Sequence, residues 1–296
     1  MAEGVFLSLW KGSKRYDITN IVQKVTWKGR KGAASRSLTV ILADDNGHGH
    51  DRAGIKVMEG HKCMFKYNGK ELFRGLIMST TQTSAKQLTF TAYDMGIYLS
   101  NNRDTFVFQK KTADAVFKSV CSQFKIPYSK VSKCAHTIEE LTKSRSTLFD
   151  VISDALNQEY EATGIRHYVS SEKGKLNLLT RRENFVQWVI ETGVNIESYS
   201  YKKSIEDVKT RVKILTDKGQ TVASAEDKPL ERKIGIFQEA RSSDDAMNGA
   251  QAAKLAVRIL EEESAPERAL SIEALGIPSV ISGRGVYIVI KELGLK

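Results

Sequence analysis

Eight consecutive residues, Asp44-Asp45-Asn46-Gly47-His48-Gly49-His50-Asp51, put carboxylates and imidazoles close enough in sequence to ligate a divalent metal. The same residue types are what a turn between two strands demands, and no second ligand pair such as CxxC completes a four-ligand site. Acid–base chemistry would draw on paired carboxylates, for which Glu139-Glu140 and Glu261-Glu262-Glu263 are available; the second group reads as the solvated end of a helix. Cys63, Cys121 and Cys134 are odd in number, widely spaced and without CxxC, the pattern of reduced, buried thiols. The chain contains no GxSxG, GxxxxGK[ST] or HExxH, and no GxGxxG after a strand. These absences point away from an enzyme, and no metal or cofactor is expected. The basic run Lys24, Lys28, Arg30, Lys31 and Arg36 encloses Trp27. It could track a phosphate backbone, stand as a solvated hairpin, or form a rim that meets an acidic protein; Trp27 itself reads as a core residue.

The elements that must position these residues fall into three stretches. Residues 1–105 read as short strands. Val5 to Trp10 precedes a turn at Lys11-Gly12-Ser13, and Arg36 to Leu42 alternates at period two. Cys63 to Tyr67 and Leu72 to Ile77 flank Asn68-Gly69-Lys70, a hairpin signal, and Gln87 to Tyr93 closes the set. Glycine turns between so many short strands indicate a barrel or sandwich. The period then changes. Thr112 precedes apolar Ala113, Val116, Phe117, Val120, Cys121 and Phe124, a helical stripe stopped at Ile126-Pro127. A second helix opens at Ser146-Thr147, buries Leu148, Val151, Ile152, Ala155 and Leu156, and stops at Gly164. A hairpin around Lys173-Gly174 follows.

Strands return from Ile196 to Tyr201 and from Lys209 to Leu215, followed by a polar stretch from Ala223 to Arg232. A third helix is expected with Ser243 as its cap, Asp244 and Asp245 in its first turn, and Ala246, Ala250, Ala253, Val257 and Leu260 buried. Strands at Ala269–Ala274 and Gly285–Ile290 come last. One internal echo links the first and third stretches: Gly60 and Gly283 each stand three residues before an alternating run, Cys63-Met64-Phe65 and Val286-Tyr287-Ile288. The expected fold is therefore α+β, mainly β, with domains at 1–105, 106–195 and 196–296.

Composition bounds the class. Across 296 residues, 41% hydrophobic and 27% charged side chains match an ordinary globular chain. The longest apolar run, Val286 to Ile290, falls far below the roughly 20 residues that span a bilayer, so no membrane insertion is expected. The first residues show no basic segment leading into an apolar one, so no export signal is expected either, and the chain reads as cytoplasmic. The net charge of +10 is uneven: +7 lies in residues 1–105, +2 in 106–200 and +1 in 201–296. Such an excess favours polyanionic partners.

Several segments in order resemble a known family. These are Tyr16-Asp17-Ile18-Thr19-Asn20-Ile21-Val22, Ala92-Tyr93-Asp94-Met95-Gly96-Ile97-Tyr98-Leu99 and Asn102-Arg103-Asp104-Thr105-Phe106-Val107-Phe108. Thr147 to Ile152, Gly174 to Leu178 and Ala274-Leu275-Gly276-Ile277-Pro278 continue the series. Together they are similar to the XkdQ-type tail hub family of contractile-tailed phages, prophages and phage-tail-like bacteriocins. The resemblance implies a structural baseplate protein. Each subunit would carry two tube-type β-barrel domains with a small α+β domain inserted between them. Three subunits would form a ring that adapts the sixfold tail tube to the threefold central spike. It implies as partners a homotrimer of the chain itself, the tail tube protein, the central spike protein, other baseplate proteins and, as a further candidate, the tape-measure protein. It places the protein in the tail baseplate, assembled in the bacterial cytoplasm. The chain stops at Gly294-Leu295-Lys296 straight after a strand, where the family pattern continues into a further hairpin, so the last barrel is expected either to be short or to be completed by another chain. For the partner-facing surface the candidates are Lys28, Arg30, Lys31 and Arg36, whose joint replacement by glutamate is expected to weaken assembly and spare the fold. The alternative is a nucleic-acid-binding protein using the basic N-terminal barrel. A cell-wall enzyme or carbohydrate-binding module finds no room once the three stretches are assigned.

Overall fold

The computed structural model describes residues 4–30, 32–43, 54–84, 86–181, 185–242 and 247–295. The protein is mainly β with a minority of helix, and its contacts divide it into two compact units. The first comprises residues 1–187 and 277–286, the second 188–276 and 287–296.

The first unit opens with β1 (Val5–Lys11), β2 (Lys14–Asp17), β3 (Val22–Lys28), β4 (Ser37–Ala43), β5 (Lys62–Tyr67), β6 (Lys70–Thr83) and β7 (Gln87–Asp94). They form one seven-stranded sheet in the order β2-β1-β5-β6-β7-β4-β3. The edges are β2 and β3, and no ladder among the described residues joins one to the other. The β5–β6 hairpin turns where Asn68-Gly69 predicts it: both residues have positive φ, 47° and 75°, the two-residue turn that matches the strand twist. Period-two alternation sends Leu7, Leu9, Leu38, Val40, Leu42, Phe73, Phe90 and Ala92 to one face, where they build the first core with Cys63 and Phe65. Trp27 is partly buried against this core, the position its sequence context implies.

Still within this unit, the chain continues through α1 (Ile97–Asn101), β8 (Arg103–Thr112), α2 (Ala113–Gln123), β9 (Tyr128–Val131), β10 (Thr137–Thr147), α3 (Leu148–Thr163), β11 (His167–Glu172) and β12 (Lys175–Thr180). β8 and β10 make an antiparallel ribbon, while β12 takes β11 antiparallel on one side and β9 parallel on the other. The predicted stripes of α2 and α3 converge. Val116, Phe117, Val120 and Cys121 pack with Leu148, Val151, Ile152 and Ala155 in a second core, all fully buried. α3 starts on Thr147, whose Oγ1 accepts from the Asp150 amide at 3.0 Å, and ends at Gly164 with φ 74°. Thr112 sits at the N-cap of α2, but its hydroxyl donates to Asp114 Oδ1 at 2.7 Å and does not cap a backbone amide.

The second unit holds β14 (Ile196–Ser204) paired with β18 (Glu267–Ala274), and β15 (Arg211–Leu215) flanked by β16 (Thr221–Glu226) and β17 (Gln238–Ser242). β13 (Phe185–Glu191) pairs with β19 (Gly285–Val289), and the division between the units falls inside both strands. Two sequence expectations change here. The polar stretch carries β16 and a short helix, α4 (Lys228–Ile234), which Asp227 caps through the Leu230 amide at 2.9 Å. The last helix, α5 (Gly249–Glu263), is capped by Asn248 in a capping box with Gln251; the expected cap and first turn, Ser243 to Ala246, lie outside the described residues. Its buried stripe is Ala252, Leu255, Ala256, Ile259 and Leu260, while Ala250, Ala253 and Val257 are exposed. The larger aliphatic stripe wins because it removes more apolar surface from water against Val212 and Ile214 of β15. Among the described residues, no helix is long and apolar enough to cross a membrane.

Candidate partner-facing surface

Of the predicted basic residues, the three that are described do not form one exposed patch. Lys28, the last residue of β3, and Arg30 are exposed and flank an open groove that also involves Trp27, Ser37 and Tyr93. Lys31 lies outside the described residues, as does the Asp44–Asp51 segment that could have ligated a metal. Arg36 turns inward. Its Nε donates to Asp94 Oδ2 at 2.8 Å, its Nη2 donates to the Ser171 carbonyl, and its guanidinium lies 5.5 Å from the Trp27 ring centroid. The side chains of Arg36 and Asp94 are only 11% and 2% exposed. Burial pushes the Asp94 carboxyl upward, against Arg36 and the Gly96 amide, which pull it down. Arg36 thus joins the end of the first sheet to β11 and is a structural residue. The quadruple glutamate change would set a carboxylate beside buried Asp94, so the expectation that it spares the fold is corrected at Arg36; of the described residues, Lys28 and Arg30 can be reversed without that cost.

Gly96 makes the lock possible. A Cβ there would strike the Ala34 carbonyl, so only glycine lets the turn after Asp94 approach the loop that presents Arg36.

A second basic surface was missed in the sequence. Alternation along β1 that buries Leu7 and Leu9 puts Phe6 and Trp10 on the opposite face of the sheet. Register sets Phe6 across from Lys66, and Trp10 across from Lys62 on one side and Arg15 on the other. The Phe6 ring carries two cations, Arg15 at 5.6 Å and Lys66 at 5.9 Å, and the Trp10 ring carries Arg74 at 5.5 Å. Arg74 is paired with Glu71 at 2.7 Å; among the described residues Arg15, Lys62 and Lys66 form no ion pair. The signal was in the period-two pattern of Val5 to Trp10, once the face away from the core was read as well.

The three cysteines are free and buried. Burial pushes each thiol up to about 12, helped at Cys134 by the Glu159 and Asp114 carboxylates, so with no metal bound they stay protonated at neutral pH.

Comparison with known proteins fits this architecture. The chain is 38% identical over 280 residues to the phage-like element PBSX protein XkdQ of Bacillus subtilis (strain 168), covering 93% of this chain and 85% of that one. It is 36% identical over 281 residues to the YqbQ protein of the same organism, with the same coverage. In fold it is similar to the 43 kDa tail protein of prophage MuSo2 from Shewanella oneidensis, with a TM-score of 0.70 at 15% identity over 98% of this chain and 90% of that one. The YQBQ-like family model matches residues 25–296. The chain belongs to the YQBQ-like family, the tail-protein family that the order of its motifs resembles.

Proposed function

We propose that this protein is a structural hub of a tail baseplate, one that assembles as a trimeric ring between a sixfold tail tube and a threefold central spike and does no catalysis of its own. The observation that carries the reading is the family match across nearly the whole chain, together with a similarity to XkdQ of a phage-like element. On this reading residues 1–105 and 196–296 are the two tube-type barrel domains, with 106–195 inserted between them. The exposed edges β2 and β3 then find partners in neighbouring domains, which is how a ring disposes of open sheet edges. Other baseplate proteins and a tape-measure protein would meet the same ring. The test is the solution mass by light scattering, with negative-stain images of the same peak. A mass three times that of the chain, with ring-shaped views, is the expected result; a monomer that stays monomeric when the spike protein is added would overturn the reading.

The cation–aromatic face of β2, β1 and β5 favours a second reading, a nucleic-acid-binding role for the N-terminal sheet. Arg15, Lys62 and Lys66, which form no ion pair among the described residues, have beside Phe6 and Trp10 the composition of a single-strand platform. A gel shift with single-stranded DNA would then show affinity that falls steeply with added salt; no retardation near physiological salt removes this reading.

A further inference from the structure

The second core of the first unit contains a group of side chains that the hub reading leaves unused. Glu159, on the last turns of α3, is 1% exposed, and no Lys or Arg pairs with it among the described residues. Its oxygens accept from the Ala135 and His136 amides at 3.0 and 2.8 Å, and from Thr163 Oγ1 at 3.4 Å. These donors hold the carboxylate in place but bring no positive charge, and an ionised carboxylate buried this deeply normally has a cation beside it. Two more ligand types converge on it. Cys134, in the loop those amides belong to, and His167, at the start of β11, offer Sγ and Nε2 3.8 Å apart. The ligand atoms of all three residues lie within 4.8 Å of one another.

We propose that Cys134, Glu159 and His167 form a binding site for a borderline-soft divalent cation of the Zn²⁺ class. A tetrahedral zinc with ordinary Zn–S and Zn–N bonds would hold sulfur and nitrogen about 3.6 Å apart, close to the separation found. Binding replaces the S–H bond of Cys134 with an S–metal bond, and the proton passes to solvent. The thiolate and the Glu159 carboxylate then balance the two positive charges, so the buried site becomes neutral. Two of the ligands are positioned by their surroundings: Asp114 Oδ1 accepts from the Cys134 amide at 3.3 Å, and Glu159 stands on α3. Of the three ligands, His167 also lines a cavity of about 360 Å³, together with Tyr160, Asn157, Arg166 and Arg284. Water from the cavity can supply the fourth ligand, and the arginines suit a polarised or hydroxide-like one. The inference rests on this geometry and is independent of the hub reading.

The test uses the full chain, stripped with a chelator and titrated with Co²⁺ as the spectroscopic stand-in for zinc. The expected result is one Co²⁺ per chain with a thiolate-to-cobalt charge-transfer band, displaced by Zn²⁺. Cys134→Ser should abolish the band and weaken binding at least ~10-fold, while Cys121→Ser, a buried thiol of the same core, should change neither. Absence of the band in the unmodified chain, or its survival in Cys134→Ser, overturns the proposal. Should Cys134→Ser fail to fold by circular dichroism, His167→Gln decides: a folded variant with unchanged Co²⁺ affinity overturns the site, and one with affinity lowered ~10-fold or more supports it.

Discussion

The two units solve the burial problem differently. The first sheet hides Phe65, Phe73 and Phe90 among aliphatic residues on one continuous face. Its neighbouring core seals α2 and α3 against β8, β10 and β12. The second unit divides its strands among small sheets, and its described core is aliphatic, with Val212, Ile214, Leu255, Ile259 and Leu260 and no aromatic ring. It leaves Trp188, Val194, Ile236, Leu275 and Tyr287 more than half exposed. A unit that keeps this many large apolar residues outside is built to be covered, whereas among the described residues of the first unit only Val107 and Phe185 are as exposed.

The sharpest way to break that comparison is at the lock of the first unit. Arg36→Ala removes one member of a buried pair and strands Asp94, so unfolding monitored by circular dichroism should show a loss of about 3–5 kcal/mol. Gly96→Ala, which forces a Cβ into the Ala34 carbonyl, should lose a comparable amount. If either variant melts with the unmodified chain, the first unit is not held together as described. Ile259→Ala, in the thinner core of the second unit, should cost about 2–3 kcal/mol, toward the lower end for a buried aliphatic residue because the site is 7% exposed. Asn248→Ala, which removes the capping box of α5, should cost about 1 kcal/mol. Smallest in stability, the pair Lys28→Glu and Arg30→Glu should leave the midpoint within ~0.5 kcal/mol. Under the hub reading Trp188→Ser behaves likewise as an isolated chain but lowers the trimer fraction in light scattering, and an unchanged trimer would show that this surface is not what the ring covers.

What the sequence made legible was local. Asn68-Gly69 declares its turn, Gly164 its helix end, and the stripes of α2 and α3 their buried faces, because each depends on neighbours within one or two turns. Arg36 looked like one more member of a basic run. Its role depends on Asp94, 58 positions away, and on Ser171, 135 away, and no local pattern carries that information. In α5 the alanine and leucine stripes both have helical period, and only the sheet beneath selects between them. The Glu159 group was invisible for the same reason as Arg36: a loop, a helix and a strand start each contribute one residue.

The return of residues 277–286 to the first unit has a consequence in time. On a ribosome, the β5–β6–β7 meander can pair as soon as Asp94 emerges, since its turns are short and its contacts local. The unit it belongs to must wait much longer. Arg284, which reaches Glu172 at 2.9 Å, is translated 112 residues after its partner, with the whole 188–276 stretch in between. At synthesis rates of roughly 5–20 residues per second, the first unit spends several seconds without its last segment. During that interval Tyr168 and the neighbouring cavity lack the Gly283 backbone that later lies against them, so a nascent chain is most exposed to misassembly at this seam, and a chaperone or protease would find its opportunity there.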